Sequence, residues 1–126
     1  MPQVAALHRD SSVTCVLDHV AGFRAGIAAD HPAWPALRAL AAQGAWIKLS
    51  GWYRLGASEP YAELLLQVRS MSALFGERVV WGSDWPHTMF APQAMPTYVS
   101  TWQPVVQALG EEAADALRRR IPSIYQ

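Results

Sequence analysis

One cysteine, no net charge and no long apolar run set the outer limits on this chain. Cys15 has no second thiol to pair with, which excludes an internal disulfide. It lies inside the apolar run VTCVL, a setting that predicts an inert buried thiol rather than a nucleophile. Ten Lys plus Arg balance ten Asp plus Glu, so no long-range field recommends nucleic acid or an anionic membrane as partner. No apolar run reaches the ~18 residues of a membrane span, and MPQVAALHRDSS lacks the unbroken apolar region of a signal peptide. The expectation is a cytoplasmic protein. Low-complexity segments and linkers are also missing, and 126 residues at 52% hydrophobic and 16% charged predict one globular domain with a sizeable core.

What is present is a repeated strand and helix pattern. Val13 to Leu17 reads as a short buried parallel strand, ending in the polar pair Asp18-His19 and a loop with Gly22 and Gly26. Asp30 or His31 can cap the next helix, with Pro32 in its first turn; Trp34, Leu37, Leu40 and Ala41 form its apolar stripe and Gly44 its stop. Ala45 to Leu49 is a second strand, ending in Ser50, Gly51, Trp52, Tyr53 and Arg54. Ser58 and Pro60 open a second helix whose apolar face is Leu64, Leu65, Val68, Met71, Leu74 and Phe75, closed by Gly76. The third strand, Val79-Val80-Trp81, stops at Gly82 and is followed by Ser83, Asp84, Trp85, Pro86 and His87. A loop marked by Pro86, Pro92 and Pro96 leads to a helical stripe of Tyr98, Trp102, Val105, Val106 and Leu109, expected to bend or restart at Pro104. A last helix, Glu111 to Arg120, has acids at its start and Arg118 to Arg120 at its end, as the helix dipole favours; the arginines read as a solvated helix end.

Three such units imply α/β architecture. Right-handed crossovers make the strands parallel and bring Asp18-His19, Ser50 to Arg54 and Ser83 to His87 to one sheet edge, where ligands bind. Asp84 can serve there as a general base on water if an apolar wall raises its proton affinity. His19 can polarise a carbonyl or bind a metal, Arg54 offers a donor fork to a carboxylate, and Ser50 and Tyr53 add hydrogen bonds. Structural roles stand beside these: Asp84 accepting backbone amides, His19 satisfied in the core, Arg54 in a surface ion pair. Trp46, Trp52, Trp81, Trp85 and Trp102 suit core or pocket, with core the commoner fate.

VLDH at 16 to 19, DHPAW at 30 to 34, IKLSGWYR at 47 to 54, VVWGSDWPH at 79 to 87 and IPSIY at 121 to 125 together resemble the amidohydrolase-related family of the metal-dependent hydrolase superfamily. The resemblance is strongest to its 2-pyrone-4,6-dicarboxylate lactonase branch, with Ile121 where that family has Asn. It implies a TIM (β/α)8 barrel of which residues 1–126 would supply strands six to eight with their helices, an incomplete barrel. By the same resemblance Asp84 activates water, His19 polarises a lactone carbonyl, Arg54 contacts a carboxylate of a small acidic substrate, and His87 supports the site. The family's HxH pair, at the end of its first strand, occurs nowhere in these residues. That implies a chain inactive in isolation that self-associates or joins a complementary N-terminal barrel chain. The alternative is a non-catalytic remnant or oligomerising module. No cofactor is expected; zinc on His19 and Asp84 is the lesser alternative, two ligands where a catalytic zinc usually has three.

Overall fold

Parallel pairing of three short strands frames the molecule, which the computed structural model describes over residues 1–120 and 122–126. Strands β1 (Val16–Leu17), β2 (Trp46–Leu49) and β3 (Val79–Trp81) lie in chain order, with Leu17 beside Ile47, Ile47 beside Val79 and Leu49 beside Trp81. The expected α/β class with a parallel sheet is what the chain adopts. Among the described residues no further strand pairs with the outer edge of β1 or of β3.

Alternation along the strands sorts their side chains onto two faces. Leu17, Ile47, Leu49 and Val79 join the main core, whereas Trp46 and Val80 are buried outside it and Val16 is exposed. The core face is covered by helices α2 (Ala33–Ala42), α3 (Leu65–Phe75) and α4 (Tyr98–Leu109), which contribute Leu37, Leu40, Val68, Met71, Phe75 and Val105. Burying each such side chain stabilises the fold by about 1.5–3 kcal/mol before entropy is counted.

Helix ends follow their sequence signals unevenly. Neither Asp30 nor His31 caps α2: Pro32 stands at the N-cap with no side-chain cap bond, although His31 Nδ1, one residue earlier, accepts the Ala33 amide at 3.1 Å. The far end of α2 closes as a Schellman turn, with Ala45 N bonded to Leu40 O at 3.0 Å and Gly44 N to Ala41 O at 3.1 Å. By contrast α3 does not open at Ser58 or Pro60: a 3-10 turn, Ala62–Leu64, intervenes after Tyr61 at φ 62°. Nor does Pro104 restart α4, which runs through it as one helix. The missing amide and crowded carbonyls of a helical proline are local, and the nearby Thr101 carbonyl gains two outside donors, the indoles of Trp52 at 2.8 Å and Trp81 at 3.1 Å.

One helix goes beyond the expectations and two expectations are adjusted. The stretch before β1 contains a helix, α1 (Pro2–Arg9), that buries Ala5 and donates from His8 Nε2 to the Gln43 carbonyl at 3.2 Å. The strand expected over Val13 to Leu17 shrinks to its last two residues, with Val13 71% exposed and Cys15 half-buried; burial pushes the Cys15 thiol pKa up. In α5 (Glu111–Arg119), Arg118 and Arg119 are exposed at the helix end as expected, and only Arg120 departs from that reading. Arg118 and Arg119 pair with Asp115 at 2.7 and 3.0 Å, and Arg120, past the helix end, turns inward to bond the Val79 carbonyl at 3.0 Å. Ile121 lies outside the described residues. Among those described, no helix is long and apolar enough to cross a membrane.

Candidate functional site

Each strand delivers its polar cluster through a turn in an unusual backbone conformation. After β1, Asp18 accepts the His19 amide at 3.1 Å, and His19, Val20, Ala21 and Gly22 follow at φ 46°, 52°, 56° and 72°. Left-handed backbone costs an L-residue roughly 1–2 kcal/mol, and Val20 is 1% exposed, so its buried side chain holds the turn in place. After β2, Ser50 is fully buried and Gly51 takes φ 60° at the entry to the 3-10 turn Trp52–Leu55. The Trp52 indole, anchored to Thr101, fixes that turn so that Tyr53 and Arg54 stand at the rim. After β3, Asp84 and His87 adopt φ 65° and 56° on either side of a cis Trp85-Pro86 bond, with His87 N bonded to Asp84 O at 3.0 Å.

These turns gather all six expected residues. Asp84 Oδ2 accepts from the Tyr53 hydroxyl at 2.5 Å and from Arg54 Nε at 2.8 Å, while Oδ1 faces His19 Nε2 across 3.9 Å. Because the Tyr53 proton goes to Asp84, its oxygen accepts from His87 Nδ1 at 3.3 Å, which puts the proton of buried His87 on Nδ1. The Ser50 hydroxyl donates to Asp18 Oδ1 at 3.4 Å and accepts from His19 Nδ1 at 3.0 Å. His19 Nε2 is then the ring atom turned to Asp84 Oδ1. The 3.9 Å gap exceeds a hydrogen bond, so both atoms remain for a ligand.

Charge at the site departs from the expected pattern. Burial pushes the Asp84 pKa up, but the Tyr53 and Arg54 hydrogen bonds and the His19 and Arg54 charges outweigh it and hold the carboxyl below its usual 3.8. Its proton affinity is therefore lowered on balance rather than raised, and its partners are side chains, not the backbone amides of the structural alternative. Burial and the bond to Asp84 push the Tyr53 pKa to about 12, so its hydroxyl stays a donor at neutral pH. The hydrogen bond that Arg54 itself donates to Asp84 raises the Arg54 pKa. Arg54 therefore does take the ion-pair role weighed for it, with Nη2 also reaching Thr88 Oγ1 at 3.4 Å. Of the tryptophans, Trp46, Trp52 and Trp102 are buried, whereas Trp85 is 76% exposed beside Asp84.

Sequence reasoning passed over Lys48 and gave Asp18 no task. Lys48 Nζ pairs with Asp18 Oδ1 at 3.2 Å, and Asp18 Oδ2 lies 3.6 Å from His19 Nε2. A signal was available: Lys48 is the one charged residue of AWIKL, and alternation puts it opposite Ile47 and Leu49. Phe90, set edge-on against the Tyr53 ring at 4.7 Å, was also missed, and nothing in its sequence context marks it.

A metal fits this arrangement poorly. Among the described residues no three His, Cys, Asp or Glu side chains are arranged to hold one. The cationic Arg54 already occupies one oxygen of Asp84.

The profile of a family described as amidohydrolase matches residues 1–121. D-galactarolactone isomerase of Agrobacterium fabrum strain C58 is 40% identical over 74 residues, which are 57% of this chain and 25% of that protein. A 4-sulfomuconolactone hydrolase of Rhizobium radiobacter is 33% identical over 84 residues, 64% of this chain and 28% of the relative. Among solved structures, an apo protein of Agrobacterium tumefaciens superposes with TM-score 0.75 at 30% identity, over 95% of this chain and 46% of the other. A probable 2-pyrone-4,6-dicarboxylic acid hydrolase of Acinetobacter baumannii, with citric acid bound, gives 0.69 at 25% identity, over 91% and 43%. The matched region thus spans about a quarter of the curated relatives and under half of the solved ones.

Proposed function

Because the chain belongs to the amidohydrolase family, we propose that it serves in opening the lactone ring of a small acidic substrate, with Asp84 activating the attacking water. The observation that carries this reading is the split use of the Asp84 carboxylate: Oδ2 is gripped by Tyr53 and Arg54, and Oδ1 is left facing His19 Nε2. The depressed pKa keeps Asp84 ionised at neutral pH. Its work as a base then depends on orientation rather than on raised proton affinity. Oδ1 takes a proton as the water oxygen bonds to the lactone carbonyl carbon. His19 Nε2 donates to the carbonyl oxygen as negative charge develops there, which requires the doubly protonated ring because Nδ1 already donates to Ser50. When the ring C–O bond breaks, the leaving oxygen recovers the proton from Asp84. Tyr53 and His87 hold the carboxylate still, and the outer nitrogens of Arg54 face a substrate carboxylate.

In this reading the three strands correspond to consecutive strands, six to eight, of a (β/α)8 barrel. The open edges of β1 and β3 are then completed by a second copy or by a complementary chain carrying the remaining strands. Likeness to lactone-transforming relatives and the shared polar edge support the assignment.

The test follows the pyrone absorbance of 2-pyrone-4,6-dicarboxylate with this protein alone, and with a chain carrying the part of the Agrobacterium structure that it does not match. Ring opening that falls at least ~100-fold in Asp84→Asn is the expected result. Undiminished turnover in that variant, or no turnover in either mixture, rejects the proposal; the latter outcome returns the chain to the non-catalytic reading.

A further inference from the structure

A cleft of about 520 Å³ opens between the turn that follows β2 and the loop that follows β3, with Tyr53, Glu59, Tyr61, Phe90 and Met95 among its walls. No residue of β1 or β3 lines it, so the outer edges of the sheet take no part. Its size suits a small organic ligand. Tyr53 and Phe90, packed edge-on at 4.7 Å, give it an aromatic side. Of the walls only Tyr53 bonds Asp84, which leaves an occupant a single residue through which to reach the catalytic cluster.

The polar groups of the cleft are matched to a hydroxyl. Tyr61 is 3% exposed and belongs to the main core, yet among the described residues its own hydroxyl meets no hydrogen-bond partner. Burial and the nearby Glu59 charge push the Tyr61 pKa up, so at neutral pH the hydroxyl keeps a proton to donate. Glu59 is exposed and, among the described residues, forms no ion pair. No Lys, Arg or His lines the cleft to draw in an acid. An ammonium offers the Tyr61 proton no acceptor, and a carboxylate offers Glu59 no donor; a hydroxyl does both at once. We propose that this cleft binds a neutral, hydroxyl-bearing aromatic ring. Its phenolic oxygen accepts from Tyr61 and donates to Glu59, while the ring packs against Tyr53, Phe90 and Met95.

Protein labelled with 13C in its methionine methyls reports on the cleft through Met95, with fully buried Met71, outside the walls, as the control. Met95→Leu assigns the signal. Phenol is expected to move the Met95 signal saturably, to leave Met71 in place, and to bind at least ~10-fold more tightly than benzoate or benzylammonium, each of which leaves one group unmatched. Tyr61→Phe removes an oxygen that bonds nothing in the protein, so the fold is kept; phenol is expected to bind about fivefold more weakly. Glu59→Gln, at an exposed position, is expected to weaken phenol several-fold and to bring benzoate within about threefold of it.

The proposal is overturned if phenol gives no saturable Met95 shift, if benzoate or benzylammonium binds as tightly, or if either folded variant keeps the full phenol affinity. Ring opening plays no part in this readout. Loss of the lactone reading would leave the cleft's ligand standing, and loss of phenol binding would leave the lactone reading untouched.

Discussion

Leu17, Ile47, Leu49 and Val79 pack against the helices in ordinary backbone, yet the turns leaving the same three strands hold five non-glycine residues at positive φ: His19, Val20, Ala21, Asp84 and His87. The helix-facing layer is relaxed and apolar; the rim is strained and polar. Strain of this kind persists only where the surroundings over-determine it, and here the core supplies the restraint through buried Val20, Trp52 and His87. The contrast teaches that the rim is aimed by the core: His19, Tyr53, Arg54 and Asp84 point where they do because the layer beneath cannot yield.

The hardest blow to that contrast is a hole in the layer. Leu49→Ala removes a fully buried side chain and is expected to cost about 2–5 kcal/mol in urea unfolding. A cost below about 1 kcal/mol would mean that the sheet is not the rigid base assumed here.

Asp84→Asn tests the rim's own share, and is expected to cost about 1.5–3 kcal/mol at pH 7 by weakening charge-assisted bonds to Tyr53 and Arg54. The sign with pH is fixed. A carboxyl whose folded pKa lies below its unfolded value of 3.8 contributes stability above that value and loses it as pH falls through the folded one. The gap between wild type and variant should therefore hold from neutrality to about pH 5 and close below pH 3.8. A gap that widens in acid would reverse the assigned direction.

Gly51→Ala joins the two regions. A Cβ at φ 60° would lie 2.5 Å from His19 Nδ1 and 3.1 Å from Arg54 Cδ. The expected cost is about 1–2 kcal/mol, with the His19 ring signals shifted as its bond to Ser50 breaks. Unchanged His19 signals would show that the ring has room elsewhere.

The mildest change is Ala21→Gly, which relieves left-handed strain in the turn after β1. Strain relief of roughly 1–2 kcal/mol against a glycine entropy penalty of roughly 0.5–1 leaves a gain of about 0–1.5 kcal/mol in thermal or urea unfolding. A loss would show that the turn is not strained.

Much of this was legible in the chain because the signals are local. Alternation and run length marked β2 and β3, Gly44 and Gly76 marked helix ends, and the polar clusters after each strand marked the shared edge. The helix Pro2–Arg9 was passed over because its few apolar residues make no clear stripe, and its support is tertiary, through Ala5 and His8. Pro104 suggested a break because helix propensity counts the lost amide, but not the indoles of Trp52 and Trp81 on the adjacent carbonyl. Lys48 went unassigned although its place in AWIKL was open to the same alternation argument that found the strand.

The sequence by itself determined the parallel α/β order, the edge to which the chemistry goes and the likeness to one family, since all three depend on periodicity and on residues close together in the chain. The charge state and direction of those residues were decided only in three dimensions. Asp84 reads in sequence as a carboxyl beside a bulky tryptophan, where an apolar wall would raise its proton affinity. Folding instead turns Trp85 outward and brings Tyr53 and Arg54, about thirty residues away, onto one oxygen. A pKa is set by whatever lies within a few ångströms, and those neighbours are chosen by packing rather than by order along the chain.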